Sequence, residues 1–212
     1  MQEIQFCELS FLPPISFFIL LAQESVIIEK HENYQKRSFR NKCIIATSEG
    51  PLTLTIPLRK GKHQRQPVTE VTIAYDEPWQ NIHLSSITTA YHNAPFFEYY
   101  FNKLERIYRN AGDHLFLFNI KLLGEICDLL QLGFPPFTGK YLKDPGGIDW
   151  RGIVTPRNYQ KIRVPKYNQV FEDRHEYLNN LSIIDLLFCL GPETTRYLKS
   201  AKMEFEFDIA GM

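Results

Sequence analysis

The sequence lacks an excess of either charge: 24 Lys and Arg stand against 24 Asp and Glu in 212 residues. Broad attraction to nucleic acid draws on many phosphate contacts from a basic surface, so this balance argues against a nucleic-acid partner. Closely spaced cysteines are absent too. Cys7, Cys43, Cys127 and Cys189 are scattered among apolar neighbours, which excludes a short-spaced zinc or redox motif and reads as reduced core thiols. No apolar run is long enough to span a bilayer, since residues 11–22, FLPPISFFILLA, are short and carry two prolines. The first ten residues have no basic start, apolar stretch or small-residue cleavage site of a signal peptide, and the expectation is a cytoplasmic location. A nucleophile elbow, a metal-binding His-Glu-x-x-His helix and histidines at ligand spacing are also missing, so neither metal nor cofactor is expected. Aromatic residues are plentiful, with 16 Phe and 11 Tyr, and much of the core should be built from rings.

The fold class expected is α/β, a mixed sheet from an N-terminal βαβ unit and a hairpin, packed by a helical second half. QEIQFC reads as a short strand, Pro13 and Pro14 suit the first turn of a helix continuing through ISFFILLAQ, and SVIIE reads as a buried strand. CIIAT and LTLTIPL flank Ser48-Glu49-Gly50-Pro51 and predict a hairpin, GKHQRQ an exposed loop, and VTIAY a further strand. From Pro78 the period changes to helical, giving three helices interrupted at Pro95 and closing at Gly133. Residues 134–168 are rich in Pro and Gly and predict a long loop, within which KDPGGIDW reads as a turn. LSIIDLLFCLG and PETTRYLKS then predict two short helices and a loose tail. The expected organisation is one domain over 1–212, strand-rich in 1–76, helix-rich in 77–133, loop-rich in 134–168 and helical again in 169–200.

Two constellations could carry chemistry. YQKRSFRNK concentrates Lys36, Arg37, Arg40 and Lys42 between a strand and the hairpin. Arg forks hold phosphate or carboxylate in paired hydrogen bonds, Lys adds a point charge, and loops at strand ends are where open α/β sheets bind ligands. Lys36, Arg37, Arg40 and Asn41 are therefore candidate substrate-binding residues for an anionic small molecule or nucleotide sugar. The competing reading is a solvated basic loop paired with Glu29, Glu32 and Glu49. On the first long helix Trp79, His83 and Tyr91 share a face, and His83 is a candidate general base, with Trp79, Tyr91 and the neighbouring His92 as binding candidates. The alternative makes Trp79 and Tyr91 core and His83 a hydrogen-bonded histidine at its edge. Asp185, within SIIDLLF, should take a local hydrogen bond at its helix start or pair with a basic residue.

YQKRSFRNKCII, then GPLTLTIPL, then Trp79, His83, Ser86-Ile87, Tyr91 and APFFEYY in this order resemble the WbqC-like family, and LSIIDLLF followed by Gly-Pro is similar to one branch of it. The family's opening Gln-Pro-x-Tyr-Leu-Pro motif is replaced by Glu8 to Pro13, and Lys42 stands where an Arg commonly follows the Asn. The resemblance implies a role in O-antigen and other surface-polysaccharide biosynthesis, with glycine or other aminoacyl transfer to a nucleotide- or lipid-linked sugar as the expected activity. The alternative is a noncatalytic ligand-binding or assembly protein of the same pathway. The oligomeric state is not legible.

Overall fold

The computed structural model describes residues 3–59 and 66–206. Residues 60–65, which hold most of the GKHQRQ loop, and the end of the tail from 207 lie outside that description.

Three short strands form a parallel sheet. β1 (Ile4–Glu8) leads through α1 (Ile15–Gln23) to β2 (Ser25–Glu29), and the two strands pair in parallel with Glu8 opposite Glu29. This is the expected βαβ unit. The first turn of α1 follows Pro14, whose missing backbone donor costs little there. One further orphan donor, the Ser16 amide, is taken by the Asn180 side chain from far along the chain, at 2.9 Å. The hairpin is also as expected: β3 (Lys42–Thr47) and β4 (Gly50–Thr55) pair antiparallel around Ser48 and Glu49, with Gly50 at φ 107°, a conformation suited to glycine.

α2 (Trp79–Tyr91), α3 (Phe97–Arg109) and α4 (Leu115–Leu130) follow. α4 stops earlier than Gly133 because Gln131 turns left-handed at φ 52°, and the amides of Gln131 and Leu132 close onto the Asp128 and Cys127 carbonyls. VTIAY does not form a strand. Ile73 and Thr72 make single bridges to Leu58 and His114 after a 3-10 turn at Val68–Glu70, so the segment is pinned between its neighbours without a ladder.

The segment 134–168 is more ordered than its composition suggests. KDPGGIDW is no simple turn, because β5 (Ile148–Asp149) joins the free edge of β1 in parallel and completes the order β2-β1-β5. Gly147 permits that approach, since a Cβ there would run into the Ile4 carbonyl. β6 (Ile162–Arg163) pairs antiparallel with β7 (Glu204–Phe205), which ties part of the expected loose tail. Between them lie α5 (Ile183–Leu190) and α6 (Thr194–Ser200).

The buried hydrophobic residues form one cluster that draws on every stretch from Cys7 to Ala201. The fully buried Asp185 on α5 accepts hydrogen bonds from Tyr91, at 2.6 Å, and from Tyr167. That corrects both expectations for it, a local bond at the helix start and a basic partner. The two phenols, each a strong donor on an apolar ring, and the Gln169 amide at 3.5 Å take the place of a cation. All four cysteines are buried and free.

Candidate functional site

A parallel sheet ends its strands on one edge, and here each strand closes with a carboxylate: Glu29 on β2, Glu8 on β1 and Asp149 on β5. Two arginines hold them. Arg40, on the 3-10 turn Phe39–Asn41 just before β3, is wholly buried and grips Glu32 with both edges of its fork, Nε to Oε1 at 2.8 Å and Nη2 to Oε2 at 2.6 Å. Its remaining Nη1 reaches Glu8 at 3.4 Å, and the other Glu8 oxygen accepts the Gly152 amide at 2.9 Å. Arg151 grips Asp149 in the same two-pronged way and reaches Glu29 at 3.2 Å. Glu29 also accepts from Thr138 Oγ1 and from the His31 and Leu142 amides.

Burial alone would lower the ionisation range of Arg40, but the Glu8 and Glu32 carboxylates outweigh it and hold the guanidinium above its ordinary value. Burial likewise pushes the Glu32 carboxyl up, and its bonds to Arg40 only partly offset that. Arg151 is held up first by its hydrogen bonds to Asp149.

Over this edge opens a cleft of about 660 Å3 lined by His31, Glu32, Asn33, Gln35, Tyr141, Lys143, Asp149 and Arg151. Tyr141 is 55% exposed and has the Arg151 guanidinium 5.5 Å from its ring centre. His31 Nε2 lies 3.2 Å from the Thr138 carbonyl. A carbonyl can only accept, so Nε2 is the donor here, and in that tautomer Nδ1 is the acceptor of the ring.

The structure separates the residues singled out from the sequence. Lys36 and Arg37 are exposed, directly after Gln35 of the cleft, and neither has an ion pair among the described residues. Arg40 is engaged with its two glutamates. Asn41 is buried, accepting from the Tyr34 hydroxyl and donating to the Ile56 carbonyl, which ties the loop to the end of β4. Trp79 and His83 lie inside the core, with His83 between the rings of Phe11, Trp79 and Tyr108. Burial lowers the His83 imidazole to about 4, although its bond to the Thr55 carbonyl works the other way. Tyr91 bonds Asp185 and accepts the Ala46 amide, and His92 is exposed with Nδ1 on the Thr88 carbonyl. None of Trp79, His83, Tyr91 and His92 lines the cleft.

The sequence reading passed over Glu8, Asp149, Arg151, Tyr141, Lys143 and His31 as site residues. A signal existed for the first of them. A carboxylate ending a short apolar strand recurs in QFCE and VIIE, and in an α/β sheet strand ends converge on ligands.

The order basic loop, hairpin and Trp79–His83 helix is now set in a sheet whose carboxyl edge opens to a cleft, and a family model covers that stretch from residue 10 to 147. The chain belongs to the WbqC-like protein family. Within the WbqC-like match fall Glu29, Glu32, Arg40 and the aromatic helix, while Glu8, Asp149 and Arg151 stand just outside it. The chain is similar to an uncharacterized protein of Mycobacterium tuberculosis, 28% identical over 231 residues that cover 94% of this chain and 98% of the relative. No solved structure matches. No helix among the described residues is long and apolar enough to cross a membrane. No group of three or more His, Cys, Asp or Glu among those residues is arranged to hold a metal ion.

Proposed function

We propose that this WbqC-like protein is a cytoplasmic transferase of surface-polysaccharide biosynthesis that binds a phosphate-bearing sugar, nucleotide- or lipid-linked, over the carboxyl edge of β2-β1-β5. The observation that carries the reading is the locked edge itself: three strand-ending carboxylates held by two arginines beneath an open cleft. Charges and donors fixed before the ligand arrives need no reorganisation during the reaction, which is how a preorganised site favours group transfer.

Lys143, with Lys36 and Arg37 next to Gln35, supplies exposed cations for the phosphate. The exposed Tyr141 ring offers a face for a sugar or a base. His31 Nδ1 takes the proton of an attacking hydroxyl or amine as that oxygen or nitrogen bonds the transferred acyl carbon and the donor's leaving group departs with its electron pair. His31 replaces His83 in this role, because a base enclosed by Phe11, Trp79 and Tyr108 does not face the cleft.

The test is a thermal-shift series with nucleotide sugars, sugar phosphates, nucleotides and amino acids, since a ligand of the folded state raises its apparent stability. A rise with the sugar classes is expected, with affinity falling about tenfold in Lys143→Ala while the ligand-free melting temperature stays put. A flat response to every class would overturn the reading. The noncatalytic alternative keeps one observation in its favour: every carboxylate on the cleft edge is already engaged by an arginine. In the enzyme, His31→Gln removes turnover and leaves binding intact, whereas a binding protein has no turnover to lose.

A further inference from the structure

Four buried side-chain atoms have no hydrogen-bonding partner among the described residues: Trp79 Nε1, His83 Nδ1, Tyr108 Oη and Asn119 Oδ1. They are not scattered. The rings of Trp79, His83 and Tyr108 are mutual neighbours, with centres 5.3 Å, 5.9 Å and 6.0 Å apart. Asn119 bonds the Arg40 carbonyl and His83 the Thr55 carbonyl, and Thr55 pairs with Lys42, two residues after Arg40, so both side chains meet the same end of the hairpin. All four side chains are at most 3% exposed. A buried polar atom without a partner is costly, so four in one place call for a common explanation.

Their chemistry narrows it. The indole N–H of Trp79 can only donate. His83 Nε2 must carry its proton, because it faces the Thr55 carbonyl at 3.2 Å, and so Nδ1 can only accept. Asn119 donates through its amide nitrogen to the Arg40 carbonyl at 2.8 Å, so the atom left over is its accepting oxygen. The Tyr108 hydroxyl can do either. With the Tyr108 hydroxyl donating, the set offers two donors and two acceptors. An ammonium or metal ion would be repelled by the indole N–H, and a halide would be repelled by the two acceptors. Water, which accepts two bonds and donates two, fits both. Since every member is sealed in the core, no larger hydroxyl compound has a route in.

We propose that Trp79, His83, Tyr108 and Asn119 hold one long-lived internal water that knits α2, α3 and α4 together. Through His83 it is linked to the Thr55 carbonyl of the hairpin, and through Asn119 to the backbone of Arg40. The water thus braces, from behind, the residue that anchors Glu8 and Glu32.

The test uses the two indoles of the chain, one of which is an internal control. Trp150 Nε1 already donates to Gln5 at 2.7 Å. In 15N-labelled protein, a water-selective cross-relaxation experiment should give a direct transfer from water to the Trp79 indole proton and none to that of Trp150. The signal should persist in Tyr108→Phe, whose melting temperature should fall, because the water keeps three partners and loses one. No transfer at Trp79, or a transfer that vanishes in Tyr108→Phe and so came from the exchanging hydroxyl, overturns the proposal. So does a Tyr108→Phe protein that melts higher, as removal of a truly unpartnered hydroxyl would make it.

Discussion

Removal of the Arg40 guanidinium would leave Glu8 and Glu32 in the interior without their hydrogen-bonded counter-charge, each less than a tenth exposed. Breaking a buried ion pair from one side costs about 3–5 kcal/mol, so Arg40→Ala should lower the urea midpoint sharply. Arg40→Lys should also destabilise, since a single ammonium cannot reproduce the fork on Glu32. A midpoint unmoved by Arg40→Ala would show that the pair contributes nothing to stability. His83 gives a prediction in pH. Its folded value of about 4 lies below the 6.5 of a free histidine, so between them the unfolded chain binds more protons. Stability from this residue is complete above pH 6.5 and is lost as pH falls toward 4, by on the order of 3 kcal/mol. Glu32 works in the opposite sense. Its carboxyl is raised by burial, so its contribution is present below 4.5 and declines as pH rises through its folded value. The difference in urea stability between the wild type and His83→Leu, followed from pH 7 to pH 4, isolates the histidine. A constant difference would mean that His83 titrates alike in the folded and unfolded chain, and that burial does not depress it.

Among the elements, those with a long period or a strong turn were readable and those made by their neighbours were not. α3 shows its apolar stripe over thirteen residues, and the hairpin announces itself through branched residues on either side of a Gly-containing turn. β5 is two residues long and has no period to read. It exists because the second edge of β1 is open and Gly147 brings the chain against Ile4. Gly147→Ala should therefore cost about 1–3 kcal/mol through overpacking and loosen the Asp149–Arg151 pair with it. Urea denaturation measures the first, and increased amide exchange at Phe6 and Trp150, which are held through this strand, reports the second. VTIAY failed in the other direction. Its residues favour a strand, but among the described residues it makes isolated bridges to Leu58 and His114 and no ladder.

At the scale of the whole molecule, chain-distant groups complete one another. Asn180 satisfies the start of α1 and donates to the Tyr159 carbonyl, while the Ser182 amide and hydroxyl bond the Ile44 and Leu12 carbonyls. The cleft is assembled in the same way, with His31 and Glu32 from after β2 and Tyr141, Lys143, Asp149 and Arg151 from more than a hundred residues later. The sequence by itself determined the βαβ start, the hairpin, the helical middle and the family, because each is written in spacing that neighbouring residues impose on one another. It also pointed to the basic loop, but not to what each cation does. Tertiary structure alone decided that Arg40 is spent on Glu8 and Glu32, that His83 is core and that the open cleft joins the segment after β2 to the one around β5. Charge pairing and burial depend on which distant segments share the interior, and local spacing carries no record of that.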